Sequence, residues 1–264
     1  MANYNDILFF DTETTGLPAK GADWAADYMA FPRICQLSWI YNGREENHII
    51  YPDGWEIPAK LSELHGITTQ RAYVEGEPFG QVVLKFMEDC AEARLICGHN
   101  IYFDVSMIKS ELMRYGLYEE LGAKDALHKG KRIDTMRASM KWVDARRQNG
   151  ALKFPNLTEL YSRCFPGESF PAHDAICDVR AVVRCLPLLV DMGLVALEVK
   201  EYPEENGAKC SDCAKKARNA PVSRDNVPDD KLHGDEKKEP QIENLAKITP
   251  TAAAFASLLA EDNF

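Results

Sequence analysis

The apolar positions at the start of the chain predict strands. Residues 6–11 contain the apolar run ILFF, and two further strand-like segments, PRICQLSWIY and NHIIYP, are joined through Asn42-Gly43. Asn-Gly between two such segments is a strong signal for a type I′ hairpin turn. The pattern therefore predicts that three antiparallel strands begin the sheet.

Apolar residues recur at helical spacing further along the chain. Gly80–Ala93 predicts one helix, and a second is predicted from about Val105 to Tyr115, where Gly116 ends it. Between them, the apolar run ARLICGHN predicts a short strand. Strands that alternate with helices favour an α/β sheet.

Three later segments complete the pattern. RIDTMRASMKWVDARRQ predicts a short strand that runs into an amphipathic helix, NLTELYSRCF predicts another helix, and DAICDVRAVVRCLPLLVDMG predicts the last one. Inside a helix, proline lacks the backbone N–H and clashes with the preceding turn. We therefore expect Pro187 to kink the last helix or to end it early.

The composition changes after Lys200. Residues 201–243 contain few large apolar side chains and many charges, so they cannot bury enough surface to offset the entropy of ordering. We predict a domain at 1–200, a flexible, largely disordered linker at 201–248, and at 249–264 a short helix or a peptide that docks on a protein partner. Cys210 and Cys213 have zinc-ligand spacing, but no second pair accompanies them, and free thiols are favoured.

The remaining composition narrows the class of protein. No stretch approaches the roughly 18 apolar residues of a membrane span, and the N-terminus lacks a basic region and a small-residue cleavage site. Most of the eight cysteines lie singly within apolar segments, as expected in a reducing compartment. We expect a soluble, intracellular and cytoplasmic protein with no membrane partner.

Charge is unevenly distributed along the chain. The net charge of −10 argues against a protein that coats nucleic acid non-specifically. Yet Lys124–Lys153 contains nine basic and three acidic residues, a local balance of +6. The predicted helix around Arg137–Arg147, which contains Trp142, either tracks a nucleic-acid strand by phosphate contacts and stacking or is a solvated charged face.

Paired carboxylates follow the first predicted strand. Asp11 and Glu13 are two residues apart, so their side chains point to the same side if the strand continues that far. Like charges held together raise each other's pKa unless a positive group lies between them. Oxygen ligands of this kind suit Mg²⁺ or Mn²⁺ rather than zinc. The alternative is that the pair caps a turn or lies in solvent.

Two further carboxylates precede or begin helices. GHNIYFD places Asp104 at the start of a helix, and HDAICD places His173 in a loop with Asp178 slightly more than one turn into the final helix. Taken singly, Asp104 could be a helix N-terminal carboxylate favoured by the macrodipole, and Asp178 an exposed helix residue. Taken together with Asp11 and Glu13, they favour a metal site.

The order of these motifs resembles a known family. DTETTG, NIYFD and HDAICD, together with LHGIT at Leu64–Thr68 and RIDTM, resemble the motifs of the DEDDh 3′→5′ exonuclease family, which includes the proofreading subunit of bacterial replicative DNA polymerase. The resemblance covers roughly residues 5–195. It departs from the family pattern in a longer segment between Leu17 and Ile34, and in Lys60 where relatives often carry an acid.

The resemblance implies a fold and a site. The fold is a ribonuclease-H-like α/β fold, a mixed five-stranded central sheet with flanking helices. Two Mg²⁺ or Mn²⁺ ions are expected on Asp11, Glu13, Asp104 and Asp178, with His173 as general base. His99 matches no catalytic position and is expected to be structural. The implied substrate-binding residues are Thr14, Thr15, Gly16 and Leu17 along the terminal nucleotide, His65 on its other side, and Asn100 and Phe103, which brace the metal motif.

The implied activity is metal-dependent 3′→5′ hydrolysis of DNA. The enzyme is expected to release nucleoside 5′-monophosphates from single-stranded 3′ ends, in proofreading or repair. RNA as the substrate remains an alternative, and so does a non-catalytic tethering subunit, although the intact set of five catalytic residues weighs against the latter. A small-molecule phosphohydrolase is disfavoured, because a free nucleotide hardly needs the basic, Trp-containing segment.

Overall fold

A mixed five-stranded sheet forms the centre of the protein in a computed structural model, which describes residues 4–200. The order across the sheet is β3-β2-β1-β4-β5. The first three strands pair antiparallel, whereas β1 with β4 and β4 with β5 pair parallel. The strands are β1 Ile7–Thr14, β2 Ile34–Tyr41, β3 Arg44–Ile49, β4 Leu95–Gly98 and β5 Arg132–Asp134. The predicted α/β class and the mixed five-stranded sheet are confirmed.

The turn between β2 and β3 has the predicted chemistry. Asn42 and Gly43 both adopt positive φ angles, 50° and 75°. A type I′ turn requires φ above zero at both central residues, which Asn and Gly accept at little cost. The hairpin and the three antiparallel strands that begin the sheet are therefore confirmed.

Helices cover both faces of the sheet. Two one-turn 3₁₀ helices, Tyr28–Ala30 and Lys129–Lys131, lie in the connections. The α-helices are α1 Ala59–His65, α2 Thr69–Glu75, α3 Phe79–Glu92, α4 Ile101–Tyr115, α5 Ala123–Ala126, α6 Thr135–Val143, α7 Leu157–Cys164 and α8 Ala175–Asp191. All five helices expected from periodicity are present, whereas the short helices α1, α2 and α5 were not predicted.

Two apolar cores pack on opposite faces of the sheet, and β1 contributes to both. Leu8 and Phe10 lie in the core that contains α3 and α4. Ile7 and Phe9 lie in the core formed with α7 and α8. Because side chains alternate along a strand, Asp11 and Glu13 continue the face of Ile7 and Phe9 toward α8.

Pro187 does not end the last helix. α8 continues through Pro187 to Asp191. A proline removes one helical hydrogen bond, but Leu186 and Leu189 on either side are fully buried and hold the last turn against the sheet. The expectation that the helix ends early at Pro187 is therefore wrong.

The segment between Leu17 and Ile34 packs on α4. The ring of Trp24 lies 5.2 Å from that of Tyr118. Arg114 of α4 donates hydrogen bonds to the carbonyl oxygens of Tyr28 and Phe31, at 2.5 and 2.9 Å. These contacts attach the long segment to the helix that carries Asp104.

The structure covers only some of the predictions on the C-terminal segment, the cysteines and membrane-spanning helices. The linker at 201–248, the docking peptide at 249–264 and the pair Cys210 and Cys213 lie outside the described residues and stay predictions. The six cysteines within residues 4–200 are free thiols. Across those residues, no helix is both long and apolar enough to span a bilayer.

Candidate active site

Three carboxylates converge where β1 meets the start of α8. β1 extends to Thr14, beyond the predicted end at residue 11, so Asp11 and Glu13 both lie on the strand and share a face. Asp178 lies in the first turn of α8. Carboxylate oxygens of Asp11, Glu13 and Asp178 all lie within 4.8 Å of one another. The predicted pairing of Asp11 with Glu13 thus gains a third member from a segment far along the chain.

Asp104 lies beside these three and is fixed by β1. It is in the first turn of α4 and only 2% exposed. Its Oδ1 accepts hydrogen bonds from the backbone N–H of Thr12 at 3.2 Å and from the Thr12 hydroxyl at 2.7 Å. Asp104 also acts electrostatically on Asp11 and Glu13. The fourth predicted carboxylate therefore lies close to the other three, held by the strand that carries the first two, and its role as a metal ligand stays a prediction.

Burial and mutual repulsion raise the pKa values of these acids. For Asp11, burial is the largest cause and the charges of Asp104, Asp178 and Glu13 follow. Burial and the charges of Asp178, Asp104 and Asp174 raise the pKa of Glu13 to about 8. Burial likewise raises the pKa values of Asp104 and Asp178, partly offset by hydrogen bonds from Thr12 and from the His173 backbone. The site holds more negative charge than its own environment stabilises.

The donor set fits a divalent cation. All converging groups are carboxylates, the oxygen ligands that Mg²⁺ and Mn²⁺ prefer. Asp178 Oδ1 is buried and has no hydrogen-bond partner. A buried acceptor without a partner is costly, and a bound cation removes that cost. The residues present therefore fit a metal site.

His173 lies at the edge of this cluster. It precedes α8 in an exposed loop and adopts a positive φ of 68°, uncommon for a residue other than glycine. Its backbone bonds the carboxylate of Asp178. An exposed histidine is thus joined through its backbone to one of the acids, and its role as general base stays a prediction.

The residues of this site lie within a segment that matches a known protein family. The family model RNase_T, described as Exonuclease, matches residues 8–186. This chain belongs to the RNase_T exonuclease family. The matched residues include all four carboxylates and His173, and the resemblance drawn from the motifs is confirmed.

Relatives of this exonuclease-family chain share its fold at low identity. Exonuclease I of E. coli in complex with a dA16 oligonucleotide is 21% identical, with a TM-score of 0.52, over 70% of this chain and 42% of that one. Exonuclease I of Methylocaldum szegediense is 19% identical, with a TM-score of 0.51, over 70% and 40%. The mouse interferon-stimulated gene 20 kDa protein is 23% identical over 53% of this chain and 44% of its own. The chain spans less than half the length of each.

The TTGL segment forms a pinned turn after β1. The Thr14 hydroxyl donates to the carbonyl oxygen of Gly16 at 2.8 Å. Thr15 and Arg33 bond reciprocally, by Thr15 N–H to the Arg33 carbonyl at 2.9 Å and by Arg33 N–H to the Thr15 hydroxyl at 2.8 Å. Leu17 follows with 81% of its side chain exposed. The exonuclease-family domain therefore presents an exposed apolar side chain three residues after the end of β1, and the substrate contacts of this segment stay predictions.

His65 is a buried residue that closes α1. Its Nδ1 accepts a hydrogen bond from the Ile67 N–H at 3.2 Å, and its Nε2 lies 3.7 Å from the Cys35 sulfur. Burial lowers its pKa, and the nearby charge of His173 lowers it further. His65 thus lies near His173, and its substrate contact stays a prediction.

Asn100 and Phe103 shape the start of α4. Asn100 adopts a left-handed conformation with φ of 69°, and its N–H donates to Asp134 Oδ1 at 3.1 Å. The Phe103 N–H donates to the Asn100 carbonyl at 2.8 Å. This junction lies directly before Asp104, and the bracing role expected from the resemblance stays a prediction.

His99 has a structural role, as expected. Its Nδ1 lies 3.0 Å from the Thr135 hydroxyl and its Nε2 3.0 Å from the Pro155 carbonyl. Burial lowers its pKa. Both ring nitrogens are engaged within the protein, so His99 ties β4 to α6.

Aromatic and basic side chains lie together in and around the basic segment. Trp142 is half-buried against the α7–α8 core, with the Arg163 guanidinium 5.3 Å from its ring, and its stacking role stays a prediction. Arg137 lies over Tyr102 and Phe154, at 4.9 and 5.5 Å from the ring centroids. Phe154 is 45% exposed. We call Tyr102, Arg137 and Phe154 the aromatic strip. A lone Phe in a Lys-Phe-Pro segment gave no sequence signal for it.

Proposed function

We propose that the chain is a metal-dependent 3′→5′ exonuclease that releases nucleoside 5′-monophosphates from single-stranded DNA. One observation carries the proposal: Asp11, Glu13 and Asp178 converge without a positive partner among the described residues, next to an exposed histidine, in an exonuclease-family chain. A binding or tethering subunit needs neither the buried charge nor the histidine. The complete set of acids therefore supports catalysis.

The four carboxylates divide between two cation positions. Asp11, Glu13 and Asp178 would hold one Mg²⁺ or Mn²⁺ ion, and Asp104 with Asp11 would hold the second. Such ions, when bound, neutralise charge at the attacking and leaving oxygens of a phosphodiester. Thr12 contributes by holding Asp104 Oδ1 toward β1, which leaves the other oxygen of that carboxylate for the site.

His173 takes the proton from the attacking water. Imidazole accepts and releases protons near neutral pH, which suits a general base in hydrolysis. The exposed loop lets the ring approach water at a bound phosphodiester, while its backbone remains bonded to Asp178. A ring nitrogen of His173 receives the proton and later returns it to solvent.

Two exposed parts of the protein fit a single-stranded nucleic acid as the substrate. Leu17 offers an apolar side chain on which a terminal base packs, independent of base identity. The aromatic strip offers a guanidinium for phosphate and an exposed ring for stacking, and Arg137 is joined to Asp134, whose charge acts on Asp104. The structural relatives in complex with dA16 and dT13 oligonucleotides favour DNA over RNA for this proposal.

The first test is a time course of 5′-labelled DNA and RNA oligomers of one sequence. With Mg²⁺, the DNA should shorten stepwise from its 3′ end, and EDTA or Asp11→Ala should stop the reaction. Faster shortening of the RNA oligomer would identify RNA as the preferred substrate instead. No shortening of either strand would refute the exonuclease and favour a tethering subunit.

A further inference from the structure

Gln36 is a buried polar residue behind the carboxylates. It lies on β2, is 4% exposed, and pairs in register with Glu13 on β1. Residues paired across antiparallel strands share a face, so Gln36 lies on the α8 side of the sheet beside Glu13. Burial of an amide is unfavourable unless its groups are hydrogen-bonded, so its partners define its role.

Both ends of the Gln36 amide bond the segment that follows His173. Oε1 accepts a hydrogen bond from the backbone N–H of Ala175 at 3.3 Å. Nε2 donates to Asp174 Oδ1 at 3.1 Å and to Asn47 Oδ1 at 2.9 Å. Asn47 Oδ1 in turn accepts from the Ser38 hydroxyl at 2.7 Å. One side chain of β2 thus holds two consecutive residues at the start of α8.

This arrangement replaces the ordinary cap of a helix. The first N–H groups of a helix lack partners within it, and the N-cap side chain usually supplies one. Asp174, the N-cap of α8, makes no such bond. Gln36, 139 positions away in sequence, accepts from the Ala175 N–H in its place. The start of α8 is therefore fixed to the sheet by a side chain of β2.

The segment Asp174–Ala175 that Gln36 holds has one proposed catalytic group before it and one after it. His173 immediately precedes Asp174 and holds a positive φ of 68°, a backbone conformation that is unfavourable in a residue other than glycine. Asp178 lies one turn later and is bonded by the His173 backbone. An unfavourable conformation persists only where its surroundings determine it. The bonds of Gln36 to Asp174 and Ala175 restrain the two residues that directly follow His173.

We propose that Gln36 is a positioning residue that fixes the His173 loop relative to the metal-binding carboxylates. The expected change in kcat rests on the proposed function. The expected restraint of the His173 loop rests on the hydrogen bonds alone. Gln36 acts through Asp174 and Ala175, so it should influence the rate of the chemical step more than substrate binding.

The kinetic test is a double-mutant cycle of Gln36→Leu and His173→Ala. Gln36→Leu alone should lower kcat for single-stranded DNA by about 10- to 100-fold, with KM changed by less than about threefold. In the His173→Ala background, the same substitution should have little further effect, because residues that act as one unit are not additive. A merely structural role would give equal losses in both backgrounds.

Val83→Ala is the matched control for stability. Val83 is fully buried on α3, in the core on the opposite face of the sheet. Its truncation should lower the melting temperature while leaving kcat unchanged well below that temperature. Gln36→Met, an unbranched apolar replacement, takes the place of Gln36→Leu if the latter does not fold.

Hydrogen exchange provides a readout that needs no activity. Exchange of the backbone amides at Asp174–Ala175 should accelerate about tenfold in the Gln36 variant but not in Val83→Ala. If the unsubstituted protein shows no hydrolysis but the Gln36 variant shows this faster exchange, the proposed exonuclease activity is refuted, whereas the restraint by Gln36 is retained. Unchanged exchange, or a kcat within about twofold of the unsubstituted protein, would overturn the role of Gln36.

Discussion

Two acidic sites in this protein differ in the source of their positive charge. Glu111 on α4 is 1% exposed, and its two carboxylate oxygens lie 2.7 Å from Arg33 Nε and 2.8 Å from an Arg114 guanidinium nitrogen. It also accepts from the Ile34 N–H. Asp11, Glu13 and Asp178 converge with no Lys or Arg ion-paired to them in residues 4–200. The chain neutralises the first acid itself and leaves the cluster to an external cation.

The difference separates a structural acid from a functional one. A buried ion pair that is complete within the chain joins Arg33 to Glu111 of α4, and Arg114 of the same helix bonds the segment after Leu17. Unpaired buried carboxylates oppose folding unless they take up protons or metal. Substitutions at the two acidic sites should therefore have opposite effects on stability and on hydrolysis.

Asp11→Asn should have the largest effect on activity. Loss of one carboxylate should lower the hydrolysis rate at least about 10³-fold, since metal-assisted stabilisation of the transition state amounts to several kcal/mol. The same change removes a buried charge, so the melting temperature of the metal-free protein should rise. Glu88→Gln, at an exposed acid of α3, is the matched control and should change neither. An active Asp11→Asn protein would contradict the metal site.

His173→Ala should slow hydrolysis by about 10²- to 10⁴-fold, the usual contribution of a general base. Unlike Asp11→Asn, it removes no metal ligand, so the Mg²⁺ concentration that gives half-maximal rate should stay the same. Single-turnover rates over a series of Mg²⁺ concentrations measure both quantities. A shift in the Mg²⁺ requirement without loss of maximal rate would assign His173 to metal binding instead.

Glu111→Gln should act on stability rather than on chemistry. Breaking a buried ion pair leaves Arg33 and Arg114 without a counterion and should lower the free energy of unfolding by about 3–5 kcal/mol. Hydrolysis per folded molecule should persist at low temperature, because Glu111 touches none of the catalytic groups. Urea unfolding together with activity separates the two quantities. A stability equal to that of the unsubstituted protein would show that the pair is energetically neutral.

The pH dependence of metal-free stability should show the smallest effect. The folded-state pKa of Glu13 is raised from 4.5 to about 8, and that of Asp11 is also raised. Between these pH values the folded protein retains protons that the unfolded chain has released, so stability falls as pH rises. This contribution is complete below the unfolded pKa and is lost through about pH 8.

Melting temperatures in EDTA and in Mg²⁺ test that slope. The decline from about pH 5 to about pH 8 should be present in EDTA and should flatten in saturating Mg²⁺, because bound cations favour the ionised acids. Asp11→Asn should flatten it in EDTA as well, whereas Glu111→Gln should not. Equal slopes in EDTA and Mg²⁺ would show that the cluster does not bind the ion.

Much of the fold followed from the sequence because its signals are local. The apolar run of β1, the Asn42-Gly43 turn and the periodicity of α3 and α8 depend on neighbouring residues alone. The four carboxylates and His173 also carried a signal, since each follows a predicted strand or lies near a helix start. Their joint order pointed to the family that the chain belongs to.

The rest depends on contacts between distant segments. Nothing near Gln36 in sequence indicates that it caps a helix 139 positions later. Phe154 acquires its place only when the connection after α6 returns to Tyr102 and Arg137. Trp142 is half-buried by the packing of α7 against α6, which the residues around it in sequence do not indicate. The short helices α1 and α2 lack the length that makes periodicity visible.

The turn at Arg147–Gly150 divides the proposed catalytic residues into two sets. It is exposed, and its ends are joined by the Arg147 N–H to the Ala151 carbonyl at 2.8 Å. A cut there would leave Asp11, Glu13 and Asp104 on one polypeptide and His173 and Asp178 on the other. Neither fragment holds a complete site, so restored hydrolysis would report their reassociation. The architecture is thus suited to a split enzyme whose output signals that two fused proteins have met.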